Sequence, residues 1–167
     1  WLLTKHLSII LTAEEQQQLT DCFSILTENM LSQPQVLVHR DYHSRNIMVL
    51  EDNNFGIIDF QDAVIGPITY DIVSLLRDCY LKWPKHYSLN DITRQQWQRW
   101  FDLTGLQRHI KASGIFARLH HRDNKSGYLK DIPLTLSYLV EISKQYPELA
   151  SLHQLLLVKV LPAMQNL

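Results

Sequence analysis

Two short apolar runs separated by a polar turn are the feature that most constrains how this chain can fold. The runs cover residues 47–50 and 55–58, and the residues between them, 51–54, are all acidic or amide residues. Runs of this length on either side of such a turn are typical of a β-hairpin. A third apolar run at residues 36–38 predicts another small strand shortly before the hairpin.

The rest of the chain carries the apolar spacing of amphipathic helices. Residues 12–30 begin with Thr12 and Glu15 at capping-box spacing and continue with apolar residues three and four positions apart. A helix that starts near Tyr70 follows the strands, and the next helix is expected to end at Gly105 as its C-terminal cap. Further helices are predicted at residues 106–119, 133–144 and 148–161. The predicted fold class is therefore α+β, mostly α.

Composition excludes several functional classes. The chain has 167 residues, of which 46% are hydrophobic and 20% charged, as is ordinary for one globular domain. Its net charge of -1 provides no field that would attract nucleic acid or an anionic membrane. The longest apolar stretch, residues 155–164, contains Lys159 and Pro162 and is shorter than the ~20 residues of a membrane span. Cys22 and Cys79 lack metal-ligand spacing, so we expect reduced core thiols and a cytoplasmic protein.

The hairpin is expected to bring an amide and a carboxylate together. If Leu50 and Phe55 close a four-residue loop, the numbers of facing residues add up to 105, and Asn46 faces Asp59. Cross-strand neighbours stand about 5 Å apart. Two oxygen ligands at that separation suit Mg²⁺, which takes one or two protein carboxylates and completes its shell with phosphate oxygens and water. Asp41 lies in the loop that leads into the hairpin.

These residues form a pattern known from one superfamily. The stretch "HRDYHSRN" at residues 39–46, followed by "IDF" at residues 58–60, resembles the catalytic loop and metal-binding motif of the protein-kinase-like phosphotransferases. Within that superfamily, residues 36–145 are similar to the aminoglycoside phosphotransferase and choline kinase branch. More narrowly, they resemble the anomeric kinases of N-acetylmuramate and N-acetylglucosamine in bacterial cell-wall recycling. The resemblance implies the C-terminal lobe of a protein-kinase-like fold, in which the hairpin bears the catalytic loop, and ATP and Mg²⁺ as cofactors.

The resemblance assigns roles at the centre of the site. Asp41 matches the catalytic aspartate that accepts a proton from the acceptor hydroxyl, although an aspartate here also suits a simple turn cap. Asn46 and Asp59 match the Mg²⁺ ligands. His43 stands where many protein kinases place a lysine that reaches the γ-phosphate, so it is a second catalytic candidate or a plain loop residue.

Four neighbouring residues have supporting or binding roles in this reading. His39 and Arg40 are expected to fix the backbone of the loop rather than to do chemistry. Asp71, at the start of a helix, matches a residue that holds the catalytic loop by hydrogen bonds, and it would also favour a helix N-terminus in any protein. Asp62 either accepts a hydrogen bond from a substrate hydroxyl or caps its own loop.

A basic segment at residues 108–130 bears on the acceptor. It contains six Lys and Arg residues and one acid, and its own "HRD" lacks the asparagine and hairpin of a second active site. The segment is either a solvated face or part of a pocket for an anionic or neutral sugar, since aminoglycosides and choline are cations that need acids nearby. Arg118 and Arg122 are the substrate-binding candidates. Trp97 and Trp100 either stack on a sugar or belong to the core.

The sequence has no glycine-rich loop to cradle phosphates, and only one helical segment precedes residue 36. We therefore expect residues 1–167 to be a C-terminal lobe without its N-terminal nucleotide-binding lobe, inactive alone and prone to self-association through the surface left bare. The expected activity is transfer of the γ-phosphate of ATP to a hydroxyl of a small molecule, with the anomeric hydroxyl of an amino sugar favoured.

Three other functions stay open at this point. An aminoglycoside or choline-type kinase would use the same loop with a different acceptor. A protein kinase is disfavoured because His43 replaces the usual lysine and no A-P-E segment follows. A catalytically inert lobe that acts as a binding module would keep the fold without the chemistry.

Overall fold

The computed structural model describes residues 1–51, 54–78 and 92–166. It is mostly helical with small two-stranded sheets, which agrees with the predicted α+β class. The turn residues Asp52 and Asn53 and the predicted core thiol Cys79 lie outside the described residues. In the part of the chain that is described, no helix combines the length and the apolar character needed to cross a bilayer.

All the described strands lie in the first half of the chain, between α1 and α2. The helices are α1 (Ala13–Leu31), α2 (Thr69–Asp78), α3 (Arg94–Asp123), α4 (Ile132–Ser143), α5 (Ala150–Leu155) and α6 (Leu161–Gln165). The strands are β1 (Gln35–Val38), β2 (Ile47–Val49), β3 (Phe55–Ile57) and β4 (Val64–Pro67). Short 3₁₀ turns occupy Ser44–Asn46, Ser126–Asp131 and Pro147–Leu149, and π-helical turns occupy Leu2–His6 and Leu156–Val160.

The described residues form two compact units, and the first consists of Trp1–Leu26 and Leu106–Leu167. The start of α1 has the predicted capping box: the amide of Thr12 donates to Glu15 Oε2 at 2.8 Å, and the amide of Glu15 donates to Thr12 Oγ1 at 3.2 Å. Lys159 Nζ lies 2.6 Å from Glu15 Oε1. The core of this first unit is formed by apolar side chains, among them Cys22, Leu26, Leu106, Ala117, Ile132, Leu136, Leu139, Leu149, Leu156 and Val160.

The second unit, Thr27–Gly105, contains all the described strands. β1 pairs antiparallel with β4, and β2 pairs antiparallel with β3 to form the predicted hairpin. β4 was not predicted, because the run Val64–Pro67 ends in Gly-Pro and its partner lies about thirty positions earlier in the chain. The core of this unit includes Val38, Tyr70, Val73, Trp97, Trp100, Phe101 and Leu103.

The predicted register of the hairpin is wrong by one residue. Val49, not Leu50, faces Phe55, and Ile47 faces Ile57. The amide of Leu50 donates to the carbonyl of Asn54 at 2.9 Å, and this bond closes the turn one position earlier than the predicted loop. Because side chains alternate along a strand, a shift of one position normally moves a residue to the other face.

The helix end predicted at Gly105 is also wrong. α3 continues through Gly105 to Asp123, and residues 101–106 around the glycine are all buried. A glycine inside a helix costs only about 1 kcal/mol relative to alanine, which burial of Phe101, Leu103 and Leu106 outweighs. Tertiary packing therefore overrides the local stop signal.

Candidate active site

The loop between β1 and β2 is held by one carboxylate. Asp71, in the first turn of α2, accepts hydrogen bonds from the backbone amides of His39 at 2.6 Å and Arg40 at 3.0 Å. Arg40 has a φ of 76°, in the left-handed region that disfavours residues with a side chain. The two bonds to Asp71 stabilise this backbone conformation immediately before Asp41.

The ring of His39 joins the loop to the end of the hairpin. Its Nε2 lies 2.8 Å from the carbonyl oxygen of Ile58, and since a carbonyl only accepts, Nε2 carries the hydrogen. His39 is buried, and its role in fixing the loop backbone stays a prediction. The contact brings the loop next to Asp59, which follows Ile58 in the chain.

Asn46 connects the two remaining predicted residues. Its buried Nδ2 donates to the backbone carbonyl of Asp41 at 2.9 Å and lies 3.5 Å from Asp59 Oδ2. The observed register places Ile58, not Asp59, opposite Asn46, and the amide of Ile58 donates to the carbonyl of Asn46 at 3.1 Å. Asp59 has a φ of 65°, so its backbone is not extended and its side chain does not follow the alternation between the two faces of a strand. Its carboxylate therefore still contacts Asn46. Asp41, Asn46 and Asp59 are thus joined by contacts.

The donor set at this point fits a hard cation. Both amide hydrogens of Asn46 face oxygen atoms, so the group that Asn46 can offer a metal is its amide oxygen. The carboxylate of Asp59 is exposed, and Gln61 Nε2 donates to its Oδ1 at 2.7 Å. Among the described residues, no group of three or more His, Cys, Asp or Glu side chains could hold a metal by itself. One carboxylate and one amide leave most of a Mg²⁺ shell to phosphate and water, as this ion requires.

Gln61 is a contact of the site that the sequence did not reveal. It stands two residues after Asp59, and no spacing rule distinguishes it from an ordinary polar loop residue. Its hydrogen bond to Asp59 Oδ1 orients one oxygen of that carboxylate. Hydrogen bonds from neighbouring side chains commonly fix the orientation of a carboxylate that binds a metal.

The other predicted residues of this unit lie around the same loop. His43 is partly buried, and its carbonyl accepts from the amide of Asn46 at 2.9 Å; within the described residues its Nδ1 has no hydrogen-bond partner. Arg40 Nη1 donates to the backbone carbonyl of Asp62 at 3.3 Å. Asp62 itself is exposed. Their functional roles stay predictions.

The remaining substrate-binding candidates lie in the other unit. Arg122, in the second "HRD", forms a two-point ion pair with Asp123, with distances of 2.7 Å from Nε to Oδ1 and 3.0 Å from Nη2 to Oδ2. This bond lowers the pKa of Asp123 and raises that of Arg122. Arg118 is partly buried, and its Nε has no hydrogen-bond partner among the described residues.

The two tryptophans belong to the core. Trp97 is 1% exposed and Trp100 is 6% exposed, and their ring centroids are 5.6 Å apart in an edge-to-face contact. Neither side chain presents a face on which a sugar could stack, so the core alternative for these residues is correct.

A group of titratable side chains outside the predicted site lies in the first unit. We call His6, His120 and His121 the histidine cluster: His6 Nδ1 is 3.3 Å from His121 Nε2, and the three ring centroids lie 4.7 to 6.0 Å apart. Burial, followed by the two neighbouring rings, lowers the pKa of His6 below its usual value. Burial also raises the pKa of the free thiol of Cys22.

Comparison with known proteins bears on the whole chain. A family model described as "phosphotransferase enzyme family" matches residues 3–109, which include all the loop and hairpin residues described above. The chain belongs to the phosphotransferase enzyme family. The predicted superfamily is thereby confirmed, and the site residues can be considered in the light of phosphotransfer chemistry.

Individual curated relatives carry more specific names. The chain is 40% identical over 172 aligned residues to an N-acetylmuramate/N-acetylglucosamine kinase of Neisseria meningitidis serogroup B, and equally identical to one of Pseudomonas aeruginosa, with 93% of this chain and 51% of each relative covered. A kinase of the same name from Caulobacter vibrioides is 31% identical over 70% of this chain and 36% of its own length. The chain spans about half the length of the first two relatives.

Proposed function

We propose that this chain is the C-terminal, catalytic-loop lobe of a small-molecule kinase that transfers the γ-phosphate of ATP to the anomeric hydroxyl of N-acetylmuramate or N-acetylglucosamine. The observation that carries the proposal is the contact chain from Asp41 through Asn46 to Asp59. The contact of Asn46 with Asp41 is made through the backbone carbonyl of Asp41, and it supports the proposal that the Asp41 carboxylate, Asn46 and Asp59 share one site, as phosphoryl transfer requires. A cytoplasmic location stays a prediction.

Asp41 is the proposed general base. Its side chain is exposed, while its backbone carbonyl is held by Asn46 at 2.9 Å and the preceding residue is held by Asp71. The carboxylate is therefore free to contact a hydroxyl of the acceptor and take its proton as the oxygen attacks the γ-phosphorus. The oxygen-phosphorus bond forms, the bond to the β-phosphate oxygen breaks, and ADP leaves.

Asn46 and Asp59 are the residues that would hold Mg²⁺. When bound, the ion would neutralise negative charge on the phosphate groups. Asn46 offers its amide oxygen because its hydrogens face Asp41 and Asp59, and Gln61 orients the Asp59 carboxylate. His43 is the proposed donor to the γ-phosphate, and Asp62 a proposed acceptor from a sugar hydroxyl.

The amino-sugar acceptor is proposed from the names of the relatives together with the charges of this chain. Three relatives with 39–40% identity are named as kinases of N-acetylmuramate and N-acetylglucosamine. Arg118 and Arg122 lie in a basic segment that would favour the muramate carboxylate over a cationic aminoglycoside or choline. Since Asp123 occupies two donors of Arg122, Arg118 is the stronger of the two candidates.

The proposed lobe organisation is supported by exposed apolar side chains on the sheets of the second unit. Leu37 faces Ile65 across one sheet and Val49 faces Phe55 across the other, and all four are 68–73% exposed. Paired apolar side chains of this kind on a sheet usually mark a surface that another part of the protein covers. We propose an N-terminal nucleotide-binding lobe as that part, and self-association of the isolated chain as the alternative.

The test is a phosphate-transfer assay with the full-length protein. N-acetylmuramate and N-acetylglucosamine should be phosphorylated in the presence of ATP and Mg²⁺, and choline and an aminoglycoside should not. Asp41→Asn should lower kcat by about 10²- to 10⁴-fold, the usual contribution of a general base. Glu141→Gln, a carboxylate change at an exposed position of α4 in the first unit, is the control and should keep wild-type turnover.

Three outcomes would contradict the proposal. Turnover of choline or an aminoglycoside in place of the sugars would favour the other branch of the family. Normal turnover of Asp41→Asn would remove Asp41 from the mechanism. Absence of transfer to any acceptor by the full-length wild type would favour a binding module without catalytic activity.

A further inference from the structure

Three buried polar side chains of the second unit form a closed ring of hydrogen bonds. Thr69 Oγ1 lies 2.6 Å from Gln33 Oε1, Thr69 Oγ1 and Thr104 Oγ1 are 2.9 Å apart, and Gln33 Nε2 lies 3.1 Å from Thr104 Oγ1. Gln33 is 3% exposed, and both threonines are completely buried. Nothing in the sequence pattern singles out these three residues, and no role in phosphotransfer has been given to them above.

The directions of the hydrogens in the ring follow from the donors available. Gln33 Oε1 can only accept, so Thr69 donates to it; Thr69 then accepts from Thr104, and Thr104 accepts from Gln33 Nε2. The second hydrogen of Gln33 Nε2 goes to the carbonyl of Asn29 at 3.1 Å, at the C-terminal end of α1. Each side chain of the ring has its hydrogen-bonding groups paired with another member, and the hydrogen bonds of such a buried network strengthen one another.

The ring also caps the start of α2. Gln33 Oε1 accepts a second bond from the backbone amide of Thr69, the first residue of that helix, at 3.3 Å. The first amides of a helix have no partner within the helix, and a side-chain oxygen normally satisfies them. Here that oxygen comes from a residue thirty-six positions away in the sequence. The ring therefore fixes where the first turn of α2 lies against the end of α1 and the middle of α3.

That first turn carries the carboxylate that holds the loop. Asp71 is two residues after Thr69, and it binds the amides of His39 and Arg40. Arg40 is in a left-handed conformation that is unfavourable for its residue type, so it depends on those bonds being held in place. A small movement of the first turn of α2 would change the backbone that leads directly into Asp41.

We infer that Gln33, Thr69 and Thr104 are positioning residues for phosphotransfer: their ring sets the first turn of α2, which through Asp71 sets the backbone of the loop before Asp41. This inference rests on the proposed function for its effect on turnover, and on the hydrogen bonds alone for its effect on the loop. None of the three residues touches a substrate in this mechanism.

The experiment compares Thr69→Val, Thr69→Ser and a matched control in the full-length protein. Thr69→Val keeps the shape of the side chain but removes the hydroxyl from the ring, whereas Thr69→Ser keeps the hydroxyl. The control is Thr135→Val, which removes another buried hydroxyl, one that donates to the carbonyl of Ile132 at 2.7 Å in the first unit. Each variant is measured by amide hydrogen exchange and by steady-state kinetics.

In Thr69→Val, exchange of the His39 and Arg40 amides should become about tenfold faster relative to amides of the core, because the ring loses two bonds and its cap weakens. In the same variant kcat should fall about tenfold while KM for the sugar changes less than twofold. Thr69→Ser should restore both values to within about threefold of wild type. Thr135→Val should also lose thermal stability but should change neither the exchange of the two amides nor kcat.

Some results would overturn the inference. If Thr69→Val lowers only the melting temperature, like Thr135→Val, and leaves both the exchange of the His39 and Arg40 amides and kcat unchanged, the ring is a structural tie alone. If wild type has no phosphotransfer activity, the proposed function fails, and the exchange measurement still decides whether the ring controls the loop.

Discussion

Replacement of Asp71 by asparagine tests how the loop is held. The wild-type carboxylate accepts two backbone hydrogen bonds, from His39 at 2.6 Å and from Arg40 at 3.0 Å. Asparagine has nearly the same shape, but it offers one acceptor oxygen and places a donor where the other oxygen was. One of the two amides therefore faces a donor, and the other loses its charged partner.

The size of the effect follows from those two contacts. Two hydrogen bonds to a charged group contribute about 3 to 6 kcal/mol together, and one neutral bond contributes about 0.5 to 1.5 kcal/mol. Release of Arg40 from its left-handed conformation recovers about 1 to 2 kcal/mol. Asp71 is only partly buried, which reduces the charge contribution further. We expect Asp71→Asn to weaken the native loop conformation by about 1 to 3 kcal/mol.

Hydrogen exchange and urea unfolding of the full-length protein measure this difference. One to three kcal/mol corresponds to roughly 5- to 150-fold faster exchange of the His39 and Arg40 amides. The control is Glu141→Gln, the same kind of change at an exposed position on α4. Unchanged protection of the two amides in Asp71→Asn, at an unchanged urea midpoint, would refute the reasoning that Asp71 holds the loop.

Three further substitutions and one labelling experiment have expected outcomes. Gly66→Ala should destabilise the protein by about 1 to 3 kcal/mol in urea unfolding, because the added Cβ would lie 2.8 Å from Val38 Cγ2, and wild-type stability would contradict this. Gly114→Ala, in the interior of α3, should instead stabilise it by up to about 1 kcal/mol, because among the described residues the added Cβ has no atom within 4 Å beyond its chain neighbours and its own helix backbone. Cys22, whose pKa is raised by burial, should react more slowly with a thiol reagent in the native protein than in urea, as peptide mapping would show; equal rates would count against a buried thiol. Because the pKa of His6 is lowered, the unfolded state binds more protons, so stability should fall from about pH 7 to about pH 5, and less steeply in His6→Gln; identical slopes of melting temperature against pH would contradict the shift.

The parts of the fold that depend on neighbouring residues were predictable from the sequence. The capping box of α1 needs only Thr12 and Glu15 three positions apart, and the structure has both of its hydrogen bonds. The hairpin was predicted from its apolar runs, but its register was not, because one bond from Leu50 to Asn54 decides which residues face each other. Gly105 gave a local signal that burial of its neighbours overrides.

The candidate site shows the same division between local and distant signals. Asp41, Asn46 and Asp59 were found from their spacing and resemblance, although the geometric argument for Asn46 and Asp59 used the wrong register. Their contact comes from the left-handed backbone of Asp59, which no alternation rule predicts. The contacts of Gln33 with Thr69 and Thr104 could not be predicted, since pairs of buried polar residues far apart in sequence leave no periodic pattern.

The backbone at Arg40 has a consequence for recognising distant family members. A φ of 76° is a conformation that glycine adopts without strain, so "His-Gly-Asp" should form this loop more readily than "His-Arg-Asp". The hydrogen bonds that Asp71 accepts from the described part of the loop come from the main-chain amides of residues 39 and 40, and these amides are the same for either residue. A motif search that insists on arginine at this position would discard sequences whose backbone adopts this conformation with less strain.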